Sequence, residues 1–86
     1  MTSPADSYRA ERERLPATFA QRLRDARKRR NLSQETFAAR ARIHRTHVGA
    51  LERGRREPSL SALLILADAL DFTPAALLEG LPVPRD

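Results

Sequence analysis

Eighty-six residues without a cysteine exclude a disulfide scaffold and a thiolate metal site, and they leave room for one small core packed from a few helices. Residues 9–57 hold fifteen Lys/Arg against six Asp/Glu, a net of +9, whereas residues 58–86 hold Arg85 against Asp68, Asp71, Glu79 and Asp86, a net of −3. The longest apolar run, Ala62–Ala67, is far too short for a bilayer and the start MTSPADSYR is too polar for a signal peptide, so a soluble, cytoplasmic chain is expected.

Residues 1–17 are charged and poor in apolar side chains. Pro4 suits the first position of a short helix to Arg14, and Leu15-Pro16 is expected to break it, which makes this stretch a flexible or weakly helical arm. Its Arg9, Arg12 and Arg14 either track a polyanion or are simply disordered. From Thr18 the apolar residues Phe19, Leu23 and Ala26 recur at i, i+4 and i+7, one stripe of an amphipathic helix to about Arg30. Asn31, tolerant of the left-handed conformation, ends it. Ser33 caps a second helix, Gln34 to Ala41, with Glu35 in its first turn, Leu32 and Phe37 as a hydrophobic staple, and Phe37, Ala38 and Ala41 inward. Arg42-Ile43-His44 connects tightly to a third helix, Arg45 to about Arg53, which buries Val48 and Leu51 and stops at Gly54.

Ser59 caps a fourth helix, Leu60–Leu70, whose inward face is assigned to Leu60, Leu63, Leu64, Ala67 and Leu70. Thr73 caps a last helix that Pro74 opens, Leu77 and Leu78 anchor and Gly80 closes. No strand pattern occurs. The expected fold is an all-α bundle of five helices, with residues 18–80 as the domain, 1–17 as the arm and 81–86 as a tail.

Two short helices joined by three residues, after a long basic one, form a helix-turn-helix. The outward positions of the third helix begin with Arg45 and Thr46 and continue with Gly49 and Ala50, small residues that let a helix approach a groove wall. Arginine pairs bidentately with guanine O6 and N7, and threonine bonds a base edge or touches a thymine methyl. Arg40, Arg42, Arg53, Arg55 and Arg56 flank this helix where phosphates run when it enters a major groove. The rival account of the charge is a solvated surface in a compositionally biased chain, with fifteen Arg to one Lys.

The run LSQETFAARARIHRTHVGALERGRREPSLSALLILADALDFTPAALLEG resembles the Cro/repressor-type, or XRE-family, helix-turn-helix regulators. The shared pattern is a Leu-Ser-Gln start, a third helix ending in Leu-Glu-Arg-Gly, then Pro-Ser and a leucine-rich helix. The Arg45-Thr46 start also resembles the small controller proteins of restriction–modification systems. The resemblance implies a compact, lambda-repressor-like DNA-binding domain whose partner is double-stranded DNA. It implies base contacts at His44, Arg45, Thr46, Gly49 and Ala50, and phosphate contacts at Gln34, Arg42, His47, Arg53 and Arg55. It also implies an ion pair, Arg27 with Glu52, tying the first helix to the end of the third. Arg42 stands where the family usually has a turn glycine, and His47 where it often has tyrosine.

Rival chemistries fare worse. His44 and His47 share a helical face, but no cysteine and no third histidine complete a metal site, so no metal is expected. The histidines are either surface residues, one capping and one packing, or neighbours of DNA. Ser33 and Ser59 are spent as caps and no base pairs with them, so no catalytic residues and no enzyme are expected. A protein-interaction module on the same scaffold, such as an antitoxin or adaptor, is the alternative, and it predicts apolar anchors on the third helix. On the fourth helix Ala62, Ile65 and Ala69 form a second apolar stripe. This stripe, extended by Leu81, reads either as a homodimer surface or, at Ile65, as an isolated exposed side chain. Six residues follow Gly80, so control by dimerisation, with no cofactor and no small-molecule effector, is expected.

Overall fold

The computed structural model describes residues 4–84, with side chains from residue 13 onward. Five helices follow one another: α1 (Pro4–Arg29), α2 (Gln34–Ala41), α3 (Arg45–Glu52), α4 (Leu60–Ala69) and α5 (Pro74–Leu78). No strand occurs among the described residues. Polar side chains start the short helices. Ser33 Oγ accepts the Thr36 N–H at 3.1 Å, Ser59 Oγ that of Ala62 at 3.0 Å, and Thr73 Oγ1 that of Ala76 at 3.2 Å. Left-handed residues stop the chain between helices: Asn31 (φ 57°), Arg42 (φ 56°), Gly54 (φ 70°) and Asp71 (φ 59°).

The core is one cluster. Phe19 and Leu23 of α1, Phe37 of α2, Val48 and Leu51 of α3, Leu66 of α4 with Leu70, and Leu77 of α5 are all at most 2% exposed. α3 packs against both α1 and α2, and α2 packs on α4. The outer face of α3 is thereby fixed relative to the whole bundle.

Arg22 and Arg24 of α1, and Arg30 just beyond it, serve the fold as well as facing the solvent. Arg22 donates to the carbonyls of Leu77 and Glu79, at the end of α5. Arg24 donates to the Glu52 carbonyl at the end of α3. Arg30 donates to Leu70 O at 2.7 Å and Asp71 O at 3.0 Å, and its guanidinium lies 4.8 Å from the centre of the Phe72 ring. Each satisfies carbonyls that a helix end leaves without intrahelical partners.

Two expectations need correction. The helix break at Leu15-Pro16 does not occur, because α1 runs on through Pro16. Leu15 and Phe19 help line an apolar recess with Pro58, Leu60, Leu63, Leu78 and Leu81, and the backbone around Pro16 lies against the loop after α3. An ideal Cβ on Gly54 would stand 3.3 Å from Ala17 Cα and 3.5 Å from Pro16 O. Contacts on this side hold the helical path despite the missing proline N–H. Of the arm's arginines, Arg14 is exposed, and Arg9 and Arg12 lie outside the residues whose side chains are described.

The second correction concerns α4. Leu60 is 74% and Leu64 49% exposed, whereas Leu66 is fully buried and Ala62 is 6% exposed. The inward face is Ala62, Leu63, Leu66, Ala67 and Leu70. Ala62 therefore belongs to the core and not to an outer stripe. The segment LSALLILADAL is apolar almost all round, so its own periodicity does not fix its phase. Packing against α2 and α5 does.

Candidate nucleic-acid interface

α3 begins on a histidine cap. His44 has extended backbone angles, and its Nδ1 accepts the Thr46 N–H at 3.0 Å. The residue as a whole is exposed. The Nδ1 bond gives His44 the capping role that is one of its two expected readings. His47, on the same flank, is half-buried. No group of three or more metal-ligating side chains occurs among the described residues.

At its other end α3 is locked by a buried carboxylate. Glu52 is 2% exposed. Arg27 grips it with two parallel bonds, Nε to Oε2 at 2.8 Å and Nη2 to Oε1 at 3.0 Å. Arg27 Nη1 also reaches Leu32 O at 2.8 Å, so one guanidinium joins α1, the entry to α2 and the end of α3. Gln34 Nε2 donates to Glu52 Oε1 at 3.2 Å. The expected ion pair is present, and the Gln34 amide is partly engaged in holding it.

The outer face of α3 carries the residues singled out from the sequence. Arg45 and Thr46 are exposed and Ala50 is half-exposed. Arg45 Nη1 rests on Glu35 Oε1 at 2.9 Å, an ion pair in which both side chains remain well exposed, at 63% and 74%. In sequence Glu35 reads only as a first-turn acid, since ten residues of separation hide this contact. Gly49 is covered, because the Arg53 guanidinium folds over it: an ideal Cβ there would stand 2.9 Å from Arg53 Nη1.

Beside this ridge, His44, Thr46, His47, Ala50, Arg55 and Arg56 line an open concavity of about 730 Å³. Arg42, in its left-handed turn, and Arg40 are exposed nearby. Small and polar side chains thus line this surface, cations frame it, and no large apolar side chain stands on it among the described residues. Arg56 contributes to the frame as much as Arg55 does. Exposed large apolar side chains lie elsewhere, at Leu60, Leu64, Ile65, Leu78 and Val83. Ala69 and Leu81 are only partly buried against the core. Among the described residues no helix is long and apolar enough to cross a membrane.

Comparison with known proteins agrees with this geometry. The helix-turn-helix family model HTH_3 matches residues 23–77. Control protein C.SmaI of Serratia marcescens is 44% identical over 60 residues, covering 70% of this chain and 71% of that one. Control protein C.BamHI of Bacillus amyloliquefaciens is 37% identical over 62 residues, covering 71% of this chain and 76% of that one. The crystal structure of the restriction-modification controller protein C.AhdI from Aeromonas hydrophila superposes with a TM-score of 0.70 at 47% identity, covering 72% of this chain and 94% of that one. The chain belongs to the XRE-type helix-turn-helix family of DNA-binding transcription regulators.

Proposed function

We propose that this protein is a sequence-specific regulator that binds an inverted-repeat operator in double-stranded DNA as a homodimer, with α3 in the major groove. The observation that carries this reading is the outer face of α3: Arg45, Thr46, Gly49 and Ala50 on a helix fixed at both ends, framed by Arg42, Arg55 and Arg56. Arg45 and Thr46 read base edges, with His44 and Ala50 close enough to shape the fit and Gly49 lying beneath the Arg53 guanidinium. Arg42, His47, Arg55 and Gln34 contact phosphates and set the register. Two relatives bear the name control protein and the matched structure is a restriction-modification controller, which supports a controller role here, acting at the promoter of its own gene.

Dimerisation rests on Ile65, with Ala69 and Leu81 beside the core, and on the exposed apolar side chains of α4 and α5. A two-fold axis through this surface sets two α3 helices about 34 Å apart, one turn of DNA. Selection of bound duplexes from a random pool at near-physiological salt tests the reading. An inverted repeat, with half-sites about 10 base pairs apart or a multiple of that, is the expected product. Binding that enriches nothing and vanishes as salt rises would reduce the surface to a generic basic patch and favour a protein partner. Replacing Ile65 with lysine is expected to leave a monomer in sedimentation, and a persisting dimer removes this surface from the proposal.

A further inference from the structure

We infer that Arg53 reads a base, and that Gly49 is the slot that brings its guanidinium onto the reading face of α3. This deepens the DNA-binding reading above and rests on it. Arg53 sits at the C-cap of α3, where the chain leaves the groove, a position at which the family resemblance implies a phosphate contact. Side chains on a helix lean toward its N-terminus and meet the residue four places earlier. For Arg53 that residue is Gly49. An ideal Cβ there would lie 2.9 Å from Arg53 Nη1, 3.7 Å from Cζ and 3.9 Å from Nη2, so the whole planar end of the arginine lies across the bare backbone of Gly49. Gly49 is buried in consequence, although it occupies the outward side of the helix.

Glycine is the least favourable residue in a helix interior after proline, and α3 has only eight residues. A place for the guanidinium gives this glycine a purpose. Among the described residues the Arg53 side chain takes no hydrogen-bond acceptor, unlike Arg22, Arg24, Arg27, Arg30 and Arg45, which are all engaged. Its fork of donors is thus held over Gly49, a position that shares a helix face with Thr46 by its i, i+3 spacing, ready for a planar acceptor pair such as guanine O6 and N7. Gly49 lies about 6 Å along the axis from Arg45, roughly one helical turn, so the two arginines address different base pairs of one half-site.

The test repeats the selection with a randomised half-site for the natural chain and for Arg53→Ala, Arg53→Lys and Gly49→Ala, with salt dependence and thermal unfolding of each. Arg53→Ala is expected to lose about 5- to 150-fold of discrimination at one position per half-site. Arg53→Lys keeps the charge without the fork and loses preference at that same position. Gly49→Ala, which leaves the arginine in place but fills its slot, loses preference there too, and combining it with Arg53→Ala adds no further loss. If Arg53→Ala instead weakens every sequence alike and flattens the salt slope by about 0.9, Arg53 is a phosphate contact and the inference fails while the operator reading stands. It fails in the same way if Gly49→Ala preserves the preference that Arg53→Ala removes. A natural chain that enriches no sequence overturns both readings together.

Discussion

Two ion pairs bracket α3, and they differ in almost every respect that matters. Arg27–Glu52 is doubly bonded, with side chains 12% and 2% exposed, and Gln34 completes the carboxylate's partners. Arg45–Glu35 is a single contact between side chains left 63% and 74% exposed. The buried pair has little net stability to offer over apolar side chains of the same volume, because desolvation offsets its Coulomb attraction. It ties α1 to the end of α3 through two directional bonds, a role in orientation rather than in net stability. The exposed pair is screened by water and salt and contributes little to stability. Such a pair is exchangeable: in the base-reading role proposed for Arg45, the guanidinium would leave Glu35 at small cost. α3 is thus clamped at its C-terminal end by buried charge, whereas at its capped N-terminal end only the Arg45 side chain is weakly held.

This contrast can be broken from either end. The largest effect is expected from Glu52→Ala, which strands a partly buried guanidinium and should cost about 3–5 kcal/mol of stability in urea unfolding. Joint replacement of Arg27 by Met and Glu52 by Leu should recover most of that loss, and failure to recover it would mean that the pair stabilises rather than orients. Next in size, Arg45→Ala should leave unfolding unchanged yet lose about 1–3 kcal/mol of discrimination at one base pair per half-site, read by competition between matched and mismatched duplexes. His44→Ala removes the cap on that same end and should cost about 1 kcal/mol of stability, with His44→Asn restoring it.

Arg42→Gly relieves a left-handed non-glycine residue (φ 56°) and should raise stability by about 0.5–1 kcal/mol. It should also flatten the salt slope by about 0.9 if Arg42 meets a phosphate. The smallest effect belongs to Glu35→Gln: stability within about 0.5 kcal/mol of the natural chain and slightly tighter binding to all sequences alike. A sequence-dependent change there would show instead that Glu35 aims Arg45.

Much of this arrangement is legible in the sequence, for reasons specific to its residues. Ser33, Ser59 and Thr73 each precede an apolar run and have one local partner, so the helix starts are readable. Phe37, Val48 and Leu51 are the only large apolar side chains of α2 and α3, among small and polar neighbours, which makes their inward direction unambiguous. The α4 segment offers apolar residues on nearly every side, so periodicity points Leu64 inward and overlooks Leu66, and only packing chooses the phase. Pro16 signals a break that the contacts around it override. The arginines on and just after α1 are indistinguishable as letters. Only the fold shows that Arg22, Arg24 and Arg30 end on helix carbonyls, whereas those near α3 face outward. Glu35 with Arg45, and Arg53 over Gly49, depend on the direction of long side chains, which spacing does not encode.

At Gly54, in the loop after α3, the backbone turns left-handed with φ 70°, and a Cβ would press on Ala17 and Pro16 of α1. That close approach pins the start of the segment that bears Arg55 and Arg56. A loop fastened to a helix surrenders its freedom when the chain folds, not when a partner arrives, and the entropic penalty of association falls accordingly. A substitution at position 54 would therefore slacken the grip on any polyanion without touching a single contacting residue.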